Sequence, residues 1–212
     1  SNHDGTAKYP IRVSAYPGEI PVLDCSGLTQ FAGYHYGIKF DYCDYWHVKG
    51  LTVINVREYT TGGMYPYPVA GWELSDGTQL TLEACNVTGC GNGFTLVSKL
   101  KGVYYINCDS YLNYDYYDNG GLANGFNGSI KAGSHVSYSG CRSYSNSDDG
   151  FDNMAGGGYI TYDNCWAFRN GCDTPTLGDG DGFKLGYSNK GDESGVQRTL
   201  KNCISCFNHL MG

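Results

Sequence analysis

The sequence predicts an all-β solenoid, a parallel β-helix, and three observations carry that prediction. The tripeptide Asn92-Gly93-Phe94 returns as Asn124-Gly125-Phe126, Asp149-Gly150-Phe151 and Asp181-Gly182-Phe183, with the glycines 25 to 32 residues apart. A unit of that length built from short strands is the mark of stacked coils. The 32 glycines and 20 tyrosines among 212 residues suit short strands and tight turns, and no stretch keeps a helical period. Finally, Cys85, Cys108, Cys141, Cys165 and Cys203 recur once per unit, and four of them have Asn five residues later: Asn113, Asn146, Asn170 and Asn208. One coil cannot bury its apolar side alone, whereas stacked coils share a core.

The elements follow in order. Ile11-Arg12-Val13-Ser14-Ala15 is a short strand, Tyr16-Pro17-Gly18-Glu19 a turn, and Ile20-Pro21-Val22-Leu23-Asp24 a second strand. Two more are expected around Gly37-Ile38-Lys39-Phe40 and Leu51-Thr52-Val53-Ile54-Asn55-Val56. Thr61 to Pro68 reads as a protruding loop. Gln79-Leu80-Thr81-Leu82 alternates as a half-buried strand does. After each Gly-Phe unit a further strand alternates: 103–108, 135–138, 159–165 and 198–203. Phe94, Phe126, Phe151 and Phe183 should stack inward, and Asn113, Asn146, Asn170 and Asn208 should form an amide ladder at one corner. Extra residues at Asn113 to Leu122, Gly171 to Gly180 and Gly186 to Val196 should be loops on one side, where solenoids wall their grooves. The recurring cysteines read better as a buried, reduced column than as a metal site, since their spacing does not resemble a zinc CxxC pair; bridges Cys203–Cys206, Cys85–Cys90 and Cys25–Cys43 are further alternatives.

Composition bounds the function. Residues 1–212 read as one domain; neither end shows a polar cap, so the expectation is either a stretch of a longer solenoid or ends covered by something else. A net charge of −7 argues against nucleic acid as partner, and a bound cation would be needed to hold a polyanion. No apolar run reaches the roughly 18 residues of a membrane span.

The chemistry concentrates at Ser147-Asp148-Asp149-Gly150-Phe151-Asp152-Asn153. Three carboxylates packed this closely repel one another, and an all-oxygen cluster suits a hard cation such as Ca²⁺. Equivalent positions on neighbouring coils lie about 4.8 Å apart. The repeat therefore puts Asn92, Asn124, Asp149 and Asp181 in one column and Thr95, Asn127, Asp152 and Lys184 in another. Asp148, Asp149, Asp152 and Asn124 become the candidate metal ligands, with Lys184 one coil further on. A Ca²⁺ that merely pins a turn is a second reading of the same acids.

Ser147 to Asp152, then Asn164-Cys165-Trp166-Ala167-Phe168, then Gly178-Asp179-Gly180-Asp181-Gly182-Phe183-Lys184-Leu185-Gly186, resemble family 9 polysaccharide lyases. The resemblance is clearest from Ala123 to Asn208, and Ala15-Tyr16-Pro17-Gly18-Glu19 is similar to the family's early coils. It implies a right-handed parallel β-helix that cleaves pectic polymers with Ca²⁺. It assigns Asp148, Asp149 and Asp152 as calcium ligands and Lys184 as the catalytic base. Asn124 stands where the family has a further calcium-binding Asp, so the site carries one negative charge less.

The expected reaction is β-elimination on an acidic plant cell-wall polysaccharide, polygalacturonate or rhamnogalacturonan, by a secreted or extracytoplasmic monomer. The cation stabilises charge on the uronate carboxylate, and lysine takes the C5 proton. Free lysine, with pKa about 10.4, is mostly protonated at neutral pH, and a nearby divalent cation disfavours the ammonium. Tyr114, Tyr116 and Tyr117 are read as sugar platforms or as exposed loop residues, and Arg142, Arg169 and Arg198 as possible partners of substrate carboxylates. The rival functions are a non-catalytic carbohydrate-binding β-helix and a glycoside hydrolase using Asp149 and Asp181.

Overall fold

The computed structural model describes residues 4–28, 35–57, 69–116, 120–153, 157–172, 178–186 and 197–210. The expected loops 61–68 and 187–196 lie outside the described residues, as do Tyr117 and the middle of the 171–180 loop. Every described strand pairing is parallel.

One sheet of seven short strands runs Val22–Asp24, Thr52–Ile54, Asn86–Thr88, Asp109–Tyr111, Arg142–Tyr144, Trp166–Phe168, Ile204–Cys206 in spatial and chain order. The ten-stranded sheet is built on His35–Lys49, Val69–Glu83 and Asn92–Ile106, each long enough to bend around a corner. The early half of Asn92–Ile106 pairs with Phe126–Ile130, which leads on to Phe151–Asp152 and Phe183–Lys184. Its later half pairs with His135–Ser139, followed by Tyr159–Asp163 and Gln197–Lys201. The chain thus winds as a parallel β-helix with three faces per coil. The strand expected over Gly37 to Phe40 is much longer than the local pattern shows, because Tyr42 and Tyr45 turn the corner at φ 51° and 58° without breaking the ladder.

Two corners of each coil use a single left-handed residue. The residue before each repeating cysteine has positive φ: Ala84, Asn107, Gly140, Asn164 and Asn202. The residue before each ladder asparagine does too: Leu112, Ser145, Arg169 and Phe207. Asn and Gly enter this region at little cost, whereas other side chains meet the following carbonyl. The spacing of five between Cys and Asn is therefore the distance from one corner to the next.

The core is a pair of aromatic stacks. Phe94, Phe126, Phe151 and Phe183 lie with ring centroids 5.0, 4.8 and 4.8 Å apart. Tyr105, Tyr138 and Tyr162 stack beside them at 5.0 and 5.1 Å and meet them edge-on. Each fully buried ring contributes on the order of 2–3 kcal/mol by leaving water. Glycine precedes each phenylalanine for a steric reason. A Cβ on Gly93, Gly125 or Gly182 would sit about 2 Å from the hydroxyl of Ser110, Ser143 or Ser205.

The amide ladder forms as expected. Asn146 Oδ1 accepts the Asn113 N–H and side-chain amide, Asn170 does the same for Asn146, and Asn208 for Asn170. All ten cysteines are free, and Cys85, Cys108, Cys141 and Cys165 are buried in the core. The three bridges considered from the sequence are not made.

Candidate active site

The site sits where the Gly-Phe face carries its acids. Phe151 pairs with Phe126 on one side and Phe183 on the other, which sets Asp152 between Asn127 and Lys184. Asn92, Asn124, Asp149 and Asp181 form a ladder on the other side of the glycine. The Asn92 side-chain oxygen accepts the Asn124 N–H at 3.2 Å, Asn124 accepts the Asp149 N–H at 3.0 Å, and Asp149 Oδ1 accepts the Asp181 N–H at 2.7 Å. Asn or Asp at this position satisfies a backbone donor one coil on, which is why the repeat accepts either.

The structure brings Lys184 onto Asp149. Lys184 Nζ lies 2.9 Å from Asp149 Oδ2 and 2.9 Å from Asp179 Oδ2. Asp149 is fully buried, and Lys184 retains a 21% exposed side chain. Asp148 is buried next to it, its Oδ1 accepting the Asp179 N–H at 2.8 Å. Asp179 is the participant that sequence reasoning missed. It lies in the quoted Gly178-Asp179-Gly180 stretch but has no counterpart on other coils, so no column marked it. The proposed hydrolytic pair does not stand free, since Asp149 Oδ1 is engaged by the Asp181 backbone.

Burial, then the neighbouring Asp149 charge, pushes Asp148 up to about 8. Burial also raises Asp149 to about 6, although Lys184 pulls it down. Burial would lower Lys184, but its hydrogen bonds to Asp179 and Asp149 and the charges of Asp149 and Asp152 outweigh that and hold it as ammonium.

Calcium is the group the resemblance implies. The donors fit a hard cation in kind: they are all oxygens, and burial together with neighbouring carboxylates raises the pKa of Asp148 and Asp149, a penalty that a bound cation would offset. As they stand, no three acidic, histidine or cysteine side chains among the described residues gather around one point.

Other predicted candidates lie elsewhere. Arg142 pairs with Asp109 on the opposite sheet, and Arg198 donates to the carbonyls of Gly158 and Asn153. Tyr114 and Tyr116 meet edge-on, with centroids 4.7 Å apart. No described helix is long and apolar enough to cross a membrane.

Comparison with known proteins identifies the family. Pectate lyase L of Dickeya chrysanthemi is 33% identical over 193 residues, covering 87% of this chain and 42% of that protein. Pectate lyase L of Thermoclostridium stercorarium is 32% identical over 222 residues, covering 99% of this chain and 16% of that one. Among solved structures, pectate lyase Pel9A aligns with a TM-score of 0.73 at 28% identity, and a rhamnogalacturonan lyase with 0.81 at 25%. Each alignment covers 98% of this chain, and 49% and 53% of those chains respectively. The chain thus spans well under two thirds of these relatives. The family model described as the Pel9A-like, right handed beta helix region matches residues 1–212, and the chain belongs to that family.

Proposed function

We propose that this chain carries out calcium-dependent β-elimination on a galacturonate-containing pectic polymer, outside the cytoplasm, with Lys184 as base. The observation that carries the reading is the amine of Lys184 set 2.9 Å from a buried carboxylate on the outward face of the helix. The names of the relatives, pectate lyase and rhamnogalacturonan lyase, support it.

Asp148, Asp149, Asp152 and Asn124 would hold Ca²⁺. When bound, the cation supplies positive charge that stabilises the uronate carboxylate as its C5 proton leaves. Lys184 Nζ accepts that proton, the C5–H electrons form the C4–C5 double bond, and the C4–O bond breaks. The leaving sugar oxygen takes a proton from water. Lys184 must first become neutral, and its present bonds to Asp149 and Asp179 oppose this. With positive charge supplied to these acids by a bound cation, Lys184 would no longer be needed as their counter-ion and would lose its proton more readily. Asn124 in place of an acid leaves one charge less to hold the cation.

The test is ultraviolet absorbance of the unsaturated product with polygalacturonate and with rhamnogalacturonan, each with Ca²⁺ and with chelator. Absorbance with one polymer that disappears in chelator supports the proposal. Reducing ends without absorbance point to hydrolysis instead. Binding without either product leaves a carbohydrate-binding module.

A further inference from the structure

The two outward columns of the active-site face do not stop at the repeat visible in the sequence. Register carries the Asp152 and Lys184 column back through Asn127, Thr95 and Glu73 to Lys39. It carries the Asn92 column back through Ala70 to Tyr36. Tyr36 and Lys39 therefore occupy, on their coil, the positions that Asp149 and Asp152 occupy on theirs. Lys39 and Lys184 are the cations of these columns, one at each end. Lys39 lies four coils from Asp152 and five from Lys184, roughly 20 to 25 Å at about 4.8 Å per coil.

The surroundings of Lys39 set a cation beside an aromatic ring. Its ammonium sits 5.3 Å from the centre of the Tyr36 ring, and its side chain remains 42% exposed. A second cation and ring stand close by: Arg57 lies over Tyr116 at 5.8 Å. His35, next to Tyr36, bonds the Arg57 carbonyl at 2.9 Å and ties the two segments together. Lys39 also bonds the buried Glu73 at 3.0 Å. That contact uses one of its three N–H donors, leaving others for solvent or a ligand.

We propose that Lys39, beside Tyr36, binds the carboxylate of a uronate unit several sugars along the polymer from the cleavage point, so that the face reads chain length. The inference rests on the lyase reading for its substrate class. An extended polyuronate laid along the columns presents one carboxylate per sugar, with Lys184 at the reacting end and Lys39 at the far end. The intervening column residues, Glu73, Thr95, Asn127 and Asp152, add no positive charge, so the far contact is discrete. The competing account makes Lys39 only the counter-ion of Glu73.

The experiment measures calorimetric binding of trigalacturonate and heptagalacturonate in Ca²⁺, in the Lys184→Ala background so that turnover does not intrude. The added change is Lys39→Gln with Glu73→Gln, which removes the cation without leaving a buried carboxylate unpaired. The expected result is heptamer binding weakened about fivefold to tenfold, the scale of one charge-assisted hydrogen bond, with trimer binding unchanged. Unchanged heptamer binding, or equal weakening of both oligomers, overturns the proposal. Wild-type absorbance assays run alongside separate the two claims. Elimination without the length effect sinks the far contact alone, and the length effect without elimination sinks the lyase reading alone.

Discussion

At the scale of single residues, the site is an argument about charge. Asp148 and Asp149 lie buried beside each other, and the nearest cation, Lys184, is shared with Asp179. Unfolded, both aspartates ionise near 3.8; folded, they keep protons up to about 8 and about 6. The folded state thus binds more protons than the unfolded one between those limits, and stability falls as pH rises. In chelator, the melting temperature should decrease from about pH 4 to about pH 8, and added Ca²⁺ should raise it most at the alkaline end. A profile that is flat in chelator would contradict the burial argument. Asp179 gives a second prediction. Asp179→Asn removes one of the bonds that hold Lys184 protonated. The rising limb of the rate against pH should move about one unit to lower pH, whereas a purely structural Asp179 would lower the rate without moving the limb.

At the scale of elements, the coil explains why some of the fold was legible and some was not. The Gly-Phe units were readable because Gly must clear close neighbours, a serine hydroxyl at Gly93, Gly125 and Gly182 and the Gly182 carbonyl at Gly150, and Phe must meet the ring above. The same register places Gly71-Trp72 and Gly37-Ile38 on the earlier coils. Trp and Ile fill the core as Phe does but break the letter pattern. The far columns, and Lys39 with them, were hidden for that reason. Asp179 was hidden for the opposite one: it lies in a loop that no other coil repeats. Legibility also failed for Lys184, whose column was plain but whose protonation depends on Asp179. The corners supply a stability prediction. Leu112 is exposed and holds φ 54°, a region that costs a leucine about 1 kcal/mol. Leu112→Asn should raise unfolding free energy by about that much in a denaturant titration, since the side chain it removes packs on little. A loss of stability would mean that the corner is not strained.

At the scale of the molecule, stacking turns distant residues into neighbours. Asp149 and Lys184 are 35 positions apart in sequence and share a hydrogen bond. Most of the face between Lys39 and Lys184 is uncharged or acidic, so a negatively charged protein presents cations only at selected places along it. Under the proposed function, this arrangement would let the helix hold an acidic polymer without a basic groove, given a cation at the acidic end. The measurement that bears most directly on the account compares the parent protein with Lys184→Ala on its preferred pectic polymer in Ca²⁺, reading absorbance of the unsaturated product. The account predicts a loss of at least about 10²-fold in rate, with polymer binding retained. Full activity in Lys184→Ala would contradict it.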